Sequence, residues 1–184
     1  MLRKVVGIVG FVIIFLSSAN VFGGNDTIPS SPQTAEEWFR RGNAACSYRE
    51  YEEAIFCYEQ AIKLKPDYAD AYCRMGLAYH YGRKDYDKAV EFYNKSLELN
   101  PNDDYPYYCI GNIYMFQKQN YDKAIECFKK AVELNPHWPF SYYNLGTAYG
   151  YQGDQEKEME YQKKAARLGH EDAQDMFRRM GILW

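Results

Sequence analysis

A glycine returns in this chain at a nearly fixed interval, and each return carries the same neighbours. Gly42, Gly76, Gly111 and Gly146 are separated by 34, 35 and 35 residues. The clearest copy is Tyr142-Tyr143-Asn144-Leu145-Gly146-Thr147-Ala148-Tyr149. Tyr107 to Tyr114 repeats it around Gly111, Tyr72 to Tyr79 around Gly76, and Trp38 to Ala45 around Gly42. Self-similarity at such a period describes an array of one supersecondary unit, because each unit needs its neighbours to bury its apolar face. The chain is therefore read as one repeat fold and not as several unlike domains.

The unit is a pair of helices. Thr34 is a good N-cap, and Glu37 can complete a capping box with it. The first helix then carries Trp38, Phe39, Gly42 and Ala45, and the second carries Tyr51, Ala54, Ile55, Tyr58, Ala61, Ile62 and Leu64. Spacings of three and four place these residues on one face of each helix. Pro66 and Asp67 stop the second helix. The first unit spans 35–68, the second 69–103, the third 104–138 and the fourth 139–170. Units two and three are one residue longer than the first, and the extra residue falls around Gly82 and around Lys118. A turn between the helices is the expected place for it, since an insertion there shifts no packed face. Residues 171–184 form a capping helix with a stripe of Ala173, Met176, Phe177 and Met180. Gly181 ends that helix, and Ile182, Leu183 and Trp184 are expected to tuck against the last unit. The fold class is all-α.

Each repeated glycine lies mid-helix, where glycine costs about 1 kcal/mol relative to alanine. Four such costs imply a gain elsewhere, and close approach of two helices is that gain. Ala54, Ala89 and Ala124 of the second helices are the expected partners. Tyr58, Tyr93 and Phe128 lie one turn further on and fill the remaining space. Ala61, Ser96 and Ala131 keep the next crossing tight.

The first 34 residues read differently. Arg3 and Lys4 precede an apolar run from Val5 to Leu16, and Ser17-Ser18-Ala19 follows. A basic start, a short apolar core and a small-residue site make a secretory signal peptide over 1–19. The run is shorter than the roughly 20 residues of a membrane span. An uncleaved anchor extending through Phe22 is the alternative, and it would be the only route to a membrane. Residues 20–34 are rich in Gly, Ser, Pro and Asn and read as a flexible leader.

The repeated residues resemble the tetratricopeptide repeat pattern of W-x2-L-G-x2-Y, then A-x3-F, then P. The resemblance covers 35 to about 168. Units two and three match at nearly every position, with Tyr72 and Tyr107 in place of Trp. The first unit departs at Arg41 and Ala45. The fourth departs in its second helix, where Glu158 and Gln162 stand for the usual alanine and aromatic. Its end, Ala165 to Ala173, is similar to the related Sel-like repeats. The resemblance implies a right-handed superhelical solenoid of four helix-turn-helix units with a C-terminal cap.

It also implies where a ligand would sit, because first helices of that family line a concave groove. The groove-facing positions carried over are Phe39, Arg40, Asn43 and Cys46 in unit one, and Cys73, Arg74, Leu77, His80 and Tyr81 in unit two. Unit three supplies Tyr105, Tyr108, Cys109, Asn112, Met115 and Phe116, and unit four supplies Phe140, Tyr143, Asn144, Thr147 and Tyr151. Such a groove is aromatic, with asparagines and two arginines. Asn offers donor and acceptor to a peptide backbone, and aromatics with Arg are typical interface anchors. Some members grip a C-terminal carboxylate with a Lys/Asn clamp. Here Asn43 fits one clamp position, but Phe39 stands where the Lys is needed. The motif positions Tyr72, Tyr79, Tyr107, Tyr114, Tyr142 and Tyr149 are expected in the core.

Other chemistry finds no support. The formal charge is -3, and no Lys/Arg run tracks a phosphate backbone, so nucleic acid is not a partner. His80, His137 and His170 lie in separate units without the i, i+4 spacing of a helical metal site. No phosphate loop and no G-x-S-x-G elbow occurs. Neither metal nor cofactor is expected, and no catalytic residue is assigned. Cys46, Cys57, Cys73, Cys109 and Cys127 have no C-x-x-C among them. They read as small buried hydrophobes, with a Cys109–Cys127 bridge as the alternative. The resulting expectation is an exported, non-catalytic scaffold that holds a peptide or protein partner. A glycan-binding module using Tyr108, Tyr143 and Tyr151 as stacking platforms is the second reading, and an enzyme the third. Cleavage after Ala19 removes two bases and no acid, taking the charge from -3 to -5. Intact-mass measurement of the exported chain should therefore find an N-terminus at Asn20; a retained Met1 supports the anchor instead.

Overall fold

The computed structural model describes residues 32–184, and all regular structure among them is helical. The signal-peptide expectation for 1–19 and most of the leader lie outside the described residues. The elements run in hairpins: α1 (Ala35–Ser47) with α2 (Tyr51–Leu64), α3 (Ala69–Ala78) with α4 (Tyr86–Leu99), α5 (Asp104–Asn112) with α6 (Tyr121–Leu134), and α7 (Pro139–Tyr151) with α8 (Gln155–Arg167). A last helix, α9 (Glu171–Met180), packs on α8. Thr34 and Glu37 form the expected capping box, with the Glu37 backbone N–H donating to Thr34 Oγ1 at 3.1 Å. Asp85, Asn120 and Asp154 cap the later second helices in the same register.

The repeated glycines do mark a close approach, but its partner is not the expected alanine. A Cβ on Gly42 would stand 2.6 Å from the ring of Tyr58, one on Gly76 2.8 Å from Tyr93, and one on Gly111 2.6 Å from Phe128. The aromatic of the second helix lies flat over the glycine of the first. Ala54, Ala89 and Ala124 are fully buried beside this contact and admit the ring. All three rings are completely buried. In unit four the same place is filled by Gln162, and a Cβ on Gly146 would stand 3.0 Å from both its Cγ and the Glu158 carbonyl oxygen.

The inserted residue of units two and three is absorbed inside the first helix. Tyr79–Arg83 and Ile113–Gln117 are π-helical turns that extend α3 and α5, an arrangement that accommodates one extra residue without breaking the helix. Gly82 in the first of these turns lies so close to α2 that a Cβ would meet Tyr51 Cβ at 2.4 Å. A left-handed residue sits two places before each second helix: Arg49, Lys84, Gln119 and Gly153. The turn geometry is thus constant although only the fourth copy uses glycine.

Units are also tied side chain to side chain. Arg83 grips Glu52 through two bonds of 2.8 and 2.5 Å, and Lys118 reaches Asp87 at 2.5 Å. Gln152 makes the equivalent bond to Asp122. Each joins the end of one first helix to the first turn of the preceding second helix. Lysines lie over the rings of Tyr79, Tyr114 and Tyr149, of which Tyr79 and Tyr149 are buried and Tyr114 half-buried. Tyr142 is buried, whereas Tyr72 and Tyr107 are half-buried and not in the core as expected. At the C-terminus Ala173 and Phe177 are buried and Met180 is exposed. Trp184 packs on this cluster, while Ile182 and Leu183 remain exposed. Gly181 ends α9 with φ of 68°, a conformation suited to glycine.

The buried ring leaves no room for a methyl group. Gly111→Ala gains up to about 1 kcal/mol of helix propensity and loses about 1–3 kcal/mol to overpacking. Urea unfolding should show a net loss of stability, and Phe128→Leu should recover part of it in the Gly111→Ala background.

Candidate functional site

The first helices α1, α3, α5 and α7 present most of the residues expected on the groove, and the structure groups them into two neighbouring features. Phe39, Asn43, Arg74 and Tyr105 line a pocket of about 310 Å³ together with Cys73, Asp70 and Asp103. Three successive units contribute to it. Phe39 is held by Tyr68 at 4.9 Å between ring centres. Asn43 Oδ1 accepts a bond from the Tyr58 hydroxyl at 2.9 Å, so its amide N–H groups remain as donors. Asp103 caps α5 and accepts from the Tyr105 backbone N–H at 3.1 Å. Burial, with Asp104 and Asp70 adding to it, holds the Asp103 carboxyl above the ordinary aspartate range despite that bond and Arg74.

The second feature is a run of rings. Tyr105 and Tyr108 lie 6.4 Å apart, Tyr108 and Trp138 4.5 Å, Trp138 and Phe140 6.2 Å, and Phe140 and His170 4.9 Å. His170 in turn stacks on Tyr143 at 4.1 Å with 3° between the planes. The run leads from the pocket wall at Tyr105 to the start of α9.

The remaining expected residues fall elsewhere. Leu77 is 6% exposed and belongs to the core, so it presents nothing to a ligand. Cys109 and Met115 are likewise buried. Asn144 donates to Asn112 Oδ1 at 2.7 Å and ties units three and four together. Thr147 donates to the Tyr143 carbonyl and accepts from Gln162 Nε2 at 3.1 Å, so its hydroxyl is spent inside the unit. Arg40 and Phe116 are exposed, Tyr81 is exposed and stacks on His80, and Tyr151 stacks on Tyr121 at 5.0 Å. Asp70, Asp103, Trp138 and His170 were absent from the expected set. Asp70 stands at the same register in unit two as Tyr105 in unit three, which was a usable signal. The other three lie at helix starts or between units, where repeat register says little.

All five cysteines are free. The Cys109 thiol is buried beside Tyr93 and Tyr105, and burial pushes it up to about 12; Cys57 and Cys127 are pushed to about 11 for the same reason. No Cys109–Cys127 bridge forms. Among the described residues no cluster of His, Cys, Asp and Glu is arranged to hold a metal, and no helix is long and apolar enough to cross a membrane.

Sequence models of the tetratricopeptide repeat match 42–82 and 115–153, 69–103, 92–126 and 141–168. Together they run without a gap over the four helix pairs from Gly42 to Leu168. The chain belongs to the tetratricopeptide repeat family. A Sel1 repeat model matches 15–45, at the opposite end from the Ala165–Ala173 stretch. Two crystal structures of MamA superpose on this tetratricopeptide repeat chain with TM-scores of 0.68 and 0.66, at 24% and 25% identity. Each covers 76% of this chain, and the match takes in 81% and 75% of theirs. The MamA RS-1 ArsTM double mutant gives a TM-score of 0.66 at 26% identity over 77% of both chains. No curated protein matches in sequence. These likenesses establish a helical solenoid of tetratricopeptide units, the architecture of protein-interaction scaffolds.

The stacked histidine gives the cap a pH dependence. His170 Nδ1 is buried without a partner among the described residues. Desolvation lowers its pKa, against smaller opposing effects of Asp172 and Glu171; His80 is lowered by burial in the same way. The unfolded chain takes up these protons near pH 6.5, and the folded chain resists them. Their contribution to stability is therefore complete above about pH 6.5 and lost as pH falls below it. Thermal melts between about pH 7.5 and pH 5 should show a falling Tm, and His170→Phe, which keeps a ring on Tyr143, should flatten the slope.

Proposed function

We propose that the chain is a non-catalytic scaffold that holds an extended peptide segment of a protein partner in the groove of its first helices. The observation that carries this reading is the pocket shared by α1, α3 and α5, with Arg74 and Asn43 among its walls and the aromatic run leading away from it. A surface built across three units suits a ligand long enough to cross them. Peptide backbone needs donors and acceptors at intervals, which Asn43 and Arg74 supply, and the rings offer apolar anchors of the kind that dominate interfaces. The tetratricopeptide family is a family of interaction scaffolds, in keeping with the absence of any acid, base or nucleophile set in the sequence.

The ring contacts favour peptide over glycan. A glycan platform calls for exposed, roughly coplanar rings, whereas Tyr108 and Tyr143 are half-buried and Tyr143 and Tyr151 are backed by His170 and Tyr121. Tyr108 is tilted at 52° to Trp138 and 55° to Phe128. Export is part of the same proposal. Arg3, Lys4 and the apolar run to Leu16 support passage into the periplasm or beyond, with membrane attachment only through that segment if it is not cleaved.

Site-specific photo-cross-linking tests the groove. A benzophenone amino acid at the exposed positions Tyr81 or Phe116 should capture a partner protein in cells. The same probe at Glu98 or Glu133 on the second helices should not, and Tyr108→Ala/Tyr143→Ala should weaken capture at Tyr81. Equal capture from both faces would exclude the groove as the binding surface.

A further inference from the structure

The pocket between the first three units has a charge pattern that selects its occupant. Asp70 stands in the first turn of α3 and Asp103 at the N-cap of α5, so both carboxylates enter from helix starts. Arg74 lies one turn beyond Asp70 on the same helix. Two carboxylates face one guanidinium, leaving one negative charge in excess. Among the described residues none of the three forms an ion pair. This contrasts with the outer surface, where Arg83 and Lys118 are each closed by an acid from the neighbouring unit. Burial, with Asp104 and Asp70 adding to it, holds the Asp103 carboxyl above the ordinary aspartate range, and Arg74 opposes this only in part.

Apolar groups line the rest of the pocket. The rings of Phe39 and Tyr105 and the buried Cys73 thiol leave a slot of about 310 Å³, at the small end of ligand-pocket sizes. That is room for one long side chain and not for a folded element.

We propose that this pocket takes a lysine or arginine side chain of the partner peptide, its cationic head between Asp70 and Asp103 and its stem between Phe39 and Tyr105. A long basic side chain has the required two-part character, an apolar stem ending in a charge. The flanking rings add attraction for a cation near their faces. Arg74 and the Asn43 amide then donate to the carbonyls of the peptide beside the anchor. The aromatic run from Tyr108 to Tyr143 receives the apolar residues that follow. The partner segment is therefore one basic anchor adjoining apolar or aromatic residues. An acidic or carboxylate-terminal peptide would meet Asp70 and Asp103 as like charges and be rejected.

This inference rests on the peptide-holding reading above, and the test separates the two. Random linear peptides are selected on the full-length chain, and the recovered peptides are measured by fluorescence anisotropy against wild type, Asp70→Asn/Asp103→Asn and Tyr108→Ala/Tyr143→Ala. Asparagine remains a good N-cap, so α5 keeps its start, and circular dichroism with a thermal melt checks each variant. The expected result is enrichment of Lys or Arg at one aligned position. Replacing that residue by alanine should weaken binding to wild type roughly tenfold or more. The same replacement should cost little on Asp70→Asn/Asp103→Asn, because the partner charge is already gone. Peptides that depend on Tyr108 and Tyr143 but show no basic preference overturn the pocket assignment and leave the groove standing. An equal loss on wild type and on Asp70→Asn/Asp103→Asn also overturns the assignment. Recovered peptides indifferent to both variants overturn the groove and the pocket together.

Discussion

An aromatic ring laid flat on a glycine holds each helix pair of this protein together, and nearly everything else is spaced by it. Tyr58 on Gly42, Tyr93 on Gly76 and Phe128 on Gly111 fix how closely the two helices of a unit approach. The close approach lets Ala61, Ser96 and Ala131 bury completely at the next crossing, and Ser96 Oγ donates to the Ala69 carbonyl there at 2.9 Å. Packed interiors do not tolerate an added methyl group at such a contact. The repeated cost of a mid-helix glycine is thereby offset by the burial of a whole ring, about 3–5 kcal/mol for a phenylalanine lost to alanine.

The fourth unit shows what the contact permits when the ring is missing. Gln162 occupies the aromatic place and binds the Tyr143 carbonyl and Thr147 hydroxyl with its amide nitrogen. The unit is held by hydrogen bonds where the others are held by a ring, and α9 covers its outer side through Ala173 and Phe177. His170, at the start of α9, then lies on Tyr143. The end of the array and the end of the aromatic run are thus one structural feature. A change that loosens the cap alters the surface proposed to meet the partner.

The fold was largely legible because its information is periodic. Glycines at 34- and 35-residue intervals, prolines at the unit ends and the Thr34–Glu37 box lie in sequence where they act in space. Single contacts were less legible. Spacing points to Ala54, Ala89 and Ala124 as the glycine partners, but the ring one turn further on reaches back over the glycine. Helical side chains lean toward the preceding turn, and sequence spacing alone hides that lean. The extra residue of units two and three was placed correctly along the chain, yet it winds into a π-helical turn instead of loosening the connection. The candidate surface was legible only by register. Phe39, Asn43, Arg74 and Tyr105 do meet, while Leu77 is drawn into the core and Thr147 and Asn144 are taken up by bonds within the array.

By itself the sequence determined the number of helix pairs and most of the faces they bury, since these follow from local period and from glycine, proline and capping chemistry. Tertiary structure alone decided which charges meet and which stay unpaired. Asp70 and Asp103 are 33 residues apart in the chain and become neighbours only when one unit stacks on the next. Arg83 and Glu52 come together through the same stacking and close an ion pair. The pocket is left with its charge uncompensated because three units converge there and none brings a second cation. That difference depends on the offset between units, which is set by packing across the array and is written at no single position in the chain.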